Sequence, residues 1–401
     1  MNSDHKGILT DKKQLGPFPM EKLKRVDQPT TLITGNIQRF DMRENGFNQA
    51  RRGDFGTIVS KELLRPPKYP VNAVEAEMSR HLTSISIGEV ALSKAPIPED
   101  PEILSRHIKS LGHFFRADIL GICRLPQYAV YSHDMNGNTV ELNHQFAIVV
   151  LVDQDYATMN ASTGSDWISS SQSHRSYSAT AFITCMMANY IKRLGYPARA
   201  HYSGNYQVIM PPLLLQAGIG ELSRMGNSVI NPFLGPRFKA AAVTTNLPLL
   251  PDKPVDFGLQ EFCQKCMKCA VECPPRAIPM GDKVMYNGYE CWKLDIKRCT
   301  KFRLANPNGV GCGTCIKVCP WNKPSGWLHD RVRWMARHTP WLDKFILKMD
   351  GIMDYGKPHP TNKWWFDLEE IDGVLQIPKE KRKGIPNKKT TPKAKQITSV
   401  K

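Results

Sequence analysis

Nine of the eleven cysteines lie between Cys263 and Cys319. In so large a chain, clustering on that scale reads as metal binding in a reducing compartment rather than a disulfide scaffold. Cys263-x2-Cys266-x2-Cys269-x3-Cys273-Pro274 has the spacing of a bacterial ferredoxin run, and Cys312-x2-Cys315-x3-Cys319-Pro320 is a second run without its first member. Two residues between cysteines let a tight loop aim successive thiolates at one cubane. The cysteine before proline leaves the loop and serves the other cluster. That crossing predicts one [4Fe-4S] cluster on Cys263, Cys266, Cys269 and Cys319. Cys273, Cys312 and Cys315 hold the second and need a fourth thiolate. Cys299 is preferred because its loop to Cys312 is one that chain entropy tolerates, and Cys291 is the alternative. Structural zinc pairs looser CxxC or Cys/His units, so two [4Fe-4S] clusters are the expectation. Cys123 and Cys185 stand in apolar, helical contexts and read as core residues.

A pair of clusters is an electron wire, and a ferredoxin would need only this segment. The remainder of the 401 residues must position whatever the wire feeds. Residues 1–70 are rich in turns and charge and read as an irregular arm. Val71–Ile87 and Pro101–Leu125 have helical spacing, Phe146–Val152 is a β-branched central strand, and Ser178–Leu194 is a helix stopped by Gly195 and Pro197. Ala198–Met210 reads as a strand and Pro212–Arg224 as a short helix. Residues 71–250 are therefore expected to form a layered α+β core. The cluster domain follows at 251–330, then an extension at 331–378 packing on the core, then a tail at 379–401. No GxGxxG after a strand, P-loop or GxSxG elbow is present.

The formal charge of +17 suggests nucleic acid, but its location argues otherwise. The tail carries nine Lys/Arg and one Glu, which is +8, leaving +9 for the rest. The tail reads as disordered and solubilising, so nucleic acid is not the expected partner. Met1–Phe18 is polar and lacks the apolar stretch of a signal peptide. Arg51-Arg52 is followed by Gly-Asp-Phe-Gly and charged sequence, not by a twin-arginine leader. No apolar stretch approaches membrane-spanning length. A cytoplasmic protein without a membrane anchor is the expectation.

Several segments carry a family resemblance. They are Arg39–Gly53 (RFDMRENGFNQARRG), Tyr190–Tyr196 (YIKRLGY), Thr245–Leu249 (TNLPL), Asp252–Gly258 (DKPVDFG) leading into Phe262-Cys263, Cys319–Pro324 (CPWNKP) and Trp364-Trp365. Together they resemble the reductive dehalogenases over roughly residues 30 to 370, with Asn246 where the family usually has Asp. The resemblance implies a nitroreductase-like core holding a base-off cobalamin. Two [4Fe-4S] clusters deliver electrons to its cobalt. It also implies an organohalide substrate and an external low-potential donor such as a ferredoxin, a flavodoxin or a reductase. No DxHxxG motif offers a histidine to the cobalt, in keeping with base-off binding.

The family's proton donor is a tyrosine followed about 60 positions later by Lys or Arg. Tyr177, read as the head of the Ser178 helix, matches. Lys239 is the preferred cation, with Arg237 close behind. A cation beside the phenol stabilises its anion and so suits a proton donor. Asn205 is a candidate pocket contact, and Gly218, Gly220 and Ser223 are candidates for close backbone approach to the cofactor. Two other readings remain. One is an epoxyqueuosine reductase acting on a modified tRNA base, where the donor is a carboxylate. The other is a non-catalytic electron carrier or corrinoid reactivator, which needs no substrate pocket.

Overall fold

The computed structural model describes residues 14–64, 70–86, 88–166, 168–306, 311–359, 369–371 and 374–377. Met1–Lys363 form one compact unit and Trp364–Lys401 another. In the second unit, Glu369–Ile371 and Val374–Gln376 pair as antiparallel strands. Trp364, Trp365 and the basic run 379–401 lie outside the described residues.

In the first unit the strands are β1 (Ile119–Arg124), β2 (Phe146–Asp153), β3 (Ala198–His201), β4 (Glu221–Leu222), β5 (Val229–Ile230) and β6 (Phe238–Thr245). Four of them form one antiparallel sheet in the order β1-β2-β6-β3, while β4 and β5 pair with each other. Every residue of β2 from Phe146 to Val152 is buried, which explains its continuous apolar run: both faces of the sheet are covered. Successive side chains alternate between the faces. Phe146, Ile148 and Val150 join Ala241 and Val243 in a core with Ala181, Met187 and Ile191 of the long helix Ile168–Arg193. Ala147, Val149 and Leu151 join Ala240 and Ala242 in a second core, which also contains Phe257, Trp292, Trp321, Cys263, Cys266, Cys269 and Cys319. The sheet thus separates a helical layer from a thiol-rich layer. Val152 pairs with Lys239, and alternation places Lys239 with Ala241 and Val243 on the helical side.

Several elements differ from the sequence reading. The helix begun at Pro101 ends at Phe114, and Ile119–Arg124 is a strand, so Cys123 is a buried strand residue. Arg116 adopts a left-handed φ of 75° and Ala117 N–H reaches back to Gly112 O, a closing turn that stops the helix. The helix expected from Ser178 begins at Ile168, so Tyr177 lies in mid-helix. Its serine-rich first turns have weak helical propensity. They are held by Asp166 Oδ1, which accepts from Ile168 N, and by Asn72, which bonds Ser170 and Ser171. The strand expected over Ala198–Met210 stops at His201, and the next helix is Met210–Gln216 rather than Pro212–Arg224. Strand β6, with alanine at three successive positions, gave no strand signal.

In the N-terminal region, Arg51 and Arg52 close the helix Gly46–Arg52, and Arg52 pairs with Glu44 and Asp54. No helix among the described residues is long and apolar enough to cross a membrane.

Candidate redox and proton-transfer site

The first thiol set is built from three pieces of chain. Cys263 sits in the helix Leu259–Lys265, Cys266 and Cys269 in the turn and short helix after it, and Cys319 follows the helix Thr314–Lys317. All four are buried. They line a small cavity together with Ser223, Arg224, Phe262 and Trp321. Backbone N–H groups of Arg224, Lys268 and Trp321 bond Cys263, Cys266 and Cys319 respectively. Burial first, then neighbouring thiols, push Cys263 and Cys269 up to about 12. Such thiols stay neutral until a metal displaces the proton.

The second set comprises Cys273, Cys299, Cys312 and Cys315. Burial raises Cys315, and the neighbours that add to the rise include Cys312, Cys299 and Cys273. Cys299 likewise has Cys273 and Cys312 beside it. The charged neighbours of Cys291 are Lys293 and Lys283 instead. The structure therefore groups Cys299, not Cys291, with this set. Ala277 N–H donates to Cys273 Sγ at 3.2 Å, and Cys312 Sγ lies 3.2 Å from Thr314 Oγ1. At Gly164 (φ +83°) a Cβ would stand 2.2 Å from Thr314 Oγ1 and 3.7 Å from Cys312 Sγ. The second set is thus seated against the loop that opens the long helix, and Lys317 Nζ ties it there by donating to Ser162 O at 2.7 Å.

Among the described residues no three His, Cys, Asp or Glu converge tightly enough to hold one metal ion. The thiols instead form two sets of four soft donors, with N–H groups directed at sulfur. That donor chemistry fits iron–sulfur clusters.

On the other side of the sheet, Tyr177 is half-buried, and Lys239 Nζ lies 5.2 Å from the centre of its ring. Tyr206, partly buried, donates its hydroxyl to Ala240 O at 2.7 Å, and Tyr177 is among its neighbours. Of the two cations weighed for Tyr177, Lys239 is the one over the ring. Arg237 directs its guanidinium at Asp153 (Nε–Oδ1 2.7 Å, Nη2–Oδ2 3.2 Å) and donates to Asn322 Oδ1 at 2.8 Å. It thereby ties the CPWN turn to the sheet.

Two residues of this neighbourhood escaped the sequence reading. Burial lowers His174, and the charges of Lys239 and Arg303 lower it further. Arg303 belongs to the same helix as Cys299, Ile296–Ala305, and its charge also acts on Cys299. Arg303 is thus a charged neighbour of both His174 and Cys299. A lone histidine or arginine at helical spacing carries no sequence signal for this.

The remaining candidates are used within the fold. Asn205 Oδ1 accepts from Arg199 Nη2 and its Nδ2 donates to Ser86 Oγ, each at 2.9 Å. At Gly218 a Cβ would stand 2.1 Å from Lys253 O, and at Gly220 2.0 Å from Ile230 O. The close approach at these two glycines is to neighbouring protein atoms. Ser223 donates to Ser228 O at 2.7 Å and lines the first thiol cavity. Near Tyr177, Gln154 Nε2 donates to Ser173 Oγ at 3.0 Å, while its buried Oε1 has no partner. An orphaned acceptor one helical turn from Tyr177 suits the amide fringe of a corrinoid.

Residues 262–322 match the family model of a 4Fe-4S double cluster binding domain. The tetrachloroethene reductive dehalogenase of Sulfurospirillum multivorans is 30% identical over 309 residues, 68% of this chain and 61% of the relative. The solved catabolic reductive dehalogenase NpRdhA in complex with 3-bromo-4-hydroxybenzoic acid is 42% identical with a TM-score of 0.87, over 91% of this chain and 53% of that one. The epoxyqueuosine reductase of Escherichia coli is more distant, 26% identical over 162 residues, 35% of this chain and 39% of the relative. The match thus spans between half and two thirds of the length of these two dehalogenases.

Proposed function

The chain belongs to the reductive dehalogenase family, and from that premise we propose that it removes halide from an organohalide by cobalamin-dependent reduction. We read the sheet and long helix as a nitroreductase-like core at residues 71–250, fed by the cluster domain at 251–330. The reaction takes an organohalide, two electrons and one proton to the hydrocarbon and halide. A bound corrinoid would supply the strongly reducing cobalt centre that carbon–halogen cleavage needs.

The chain's own residues supply the rest. Two sets of four thiols hold the clusters that relay electrons from an external low-potential donor. Tyr177 gives the proton, and Lys239 beside its ring stabilises the phenolate left behind. His174, held towards its neutral form by burial and two cations, adds no further charge there. Arg237 fixes β6, and with it Lys239, by its grip on Asp153 and Asn322.

The observation that supports this reading is the placement of Lys239 Nζ 5.2 Å from the centre of the Tyr177 ring, across the sheet from the buried thiols of the first set. The test is anaerobic reconstitution with iron, sulfide and cobalamin, followed by viologen-driven turnover. Halide release from 3-bromo-4-hydroxybenzoic acid or tetrachloroethene is the expected result. Turnover confined to an epoxyqueuosine tRNA, or a preparation that holds iron but never corrinoid, overturns the proposal.

A further inference from the structure

Arg224 is among the largest fully buried side chains, with 1% of its surface exposed. It lies in the turn between β4 and β5. Its guanidinium donates to carbonyls alone: Nε to Cys263 O at 3.0 Å, Nη1 to Pro279 O at 3.1 Å, Met280 O at 3.3 Å and Gly281 O at 3.0 Å, and Nη2 to Gln264 O at 3.5 Å. Among the described residues no carboxylate is in ion-pair contact with it. Its Cζ stands 4.6 Å from the centre of the ring of Trp292, which is itself buried, with Lys283 Nζ 4.9 Å from the same ring.

A permanent cation taken out of water without an anion is unfavourable, and carbonyl dipoles offset only part of that loss. No carboxylate among the described residues supplies that anion, but the thiolates of a bound cluster would. Arg224 lines the cavity of Cys263, Cys266, Cys269 and Cys319. Its charge acts on the first three of these, and its backbone N–H bonds Cys263. Four thiolates around a [4Fe-4S] core are net negative in both redox states, and one unit more negative when reduced. A fixed cation in a poorly screened interior therefore favours the reduced form.

We propose that Arg224 is the built-in counter-charge of the cluster on Cys263, Cys266, Cys269 and Cys319, and that it raises that cluster's reduction potential. The inference rests on the two-cluster reading above. The step is a single electron arriving from the external low-potential carrier. The cluster is reduced by one unit, no bond forms or breaks, and Arg224 keeps its proton throughout. Arg224 is a positioning and charge-setting residue, remote from the proton-donor pair.

The test compares the reconstituted full-length wild type with Arg224→Gln, which keeps amide donors but loses the charge, and Arg224→Lys, which keeps the charge but loses the fork. The readouts are iron and sulfide content and redox titration followed by electron paramagnetic resonance. In Arg224→Gln one of the two clusters should become at least tenfold harder to reduce at a fixed poise, about 59 mV for a one-electron couple, with the other unmoved. Arg224→Lys should recover most of that shift. Loss of one cluster in the Gln variant but not in the Lys variant supports the same conclusion. Both midpoints unchanged in Arg224→Gln, equal shifts in the two variants, or equal cluster loss in both would show that the side chain is only a carbonyl clamp. A wild type that takes up no iron and sulfide sinks the two-cluster reading itself, a failure visible before any variant is made.

Discussion

Lys239 Nζ lies 5.2 Å from the centre of the Tyr177 ring, a strand residue set against a helix residue across one layer of the core. That placement is the basis for proposing Tyr177 as the proton donor. Tyr177→Phe should lower halide release by about 10²- to 10⁴-fold, the usual worth of a positioned proton donor. Iron and corrinoid contents should stay at wild-type levels. Single-turnover assays on pre-reduced protein measure this directly, and undiminished halide release would remove Tyr177 from the reaction.

Arg237 has a different task from Lys239, two positions along the same chain. Its side chain is 5% exposed and that of Asp153 is 27% exposed. Removing one partner leaves a buried charge without compensation. Asp153→Asn should therefore lower stability by about 2 to 3 kcal/mol, below the full value for a dry pair because Asp153 keeps some solvent. Urea unfolding of the reconstituted protein reads the change. A variant as stable as wild type would mean that Asn322 and the carbonyl of Lys323 suffice to hold the guanidinium.

What could be read from the chain beforehand divides by the range of the interaction. The cysteine runs were legible because two-residue spacing dictates loop geometry locally. The preference for Cys299 over Cys291 rested on loop length alone, because the deciding neighbours depend on which helix packs beside Cys273 and Cys312. Tyr177 was placed at a helix start because Ser169, Ser170 and Ser171 have poor helical propensity, and tertiary hydrogen bonds through Asn72 outweigh that preference. The close approaches at Gly218 and Gly220, to the backbone of Lys253 and Ile230, are likewise set by the fold. Arg224 and Arg303 are single cations in unremarkable contexts, and only the fold brings each to a thiol set.

The grouping of Cys299 with Cys273, Cys312 and Cys315 makes a contrast between two serine variants. Cys299→Ser should retain about half of the roughly eight irons that two cubanes hold, because the second set loses a donor. Cys291→Ser should retain all of them, since Lys283 and Lys293, not thiols, are its charged neighbours. Iron analysis with cluster spectroscopy decides. Normal iron in Cys299→Ser with a deficit in Cys291→Ser would reverse the assignment.

Glu75 gives the fold a pH dependence of known sign. Burial raises its carboxyl from 4.5 to about 7, with Arg175 opposing, and its Oε2 is buried without a hydrogen-bond partner. A carboxyl raised in the folded state holds its proton more tightly there than in the unfolded chain. Its contribution is therefore intact below about pH 4.5 and is lost as pH rises through 7. Glu75→Gln fixes the neutral form. The variant should melt higher than wild type at pH 8, and the two should melt together near pH 4. Thermal unfolding at the two pH values is the check. A Gln variant that loses stability at pH 8 would mean that the ionised carboxylate, through Arg175, is the form the fold requires.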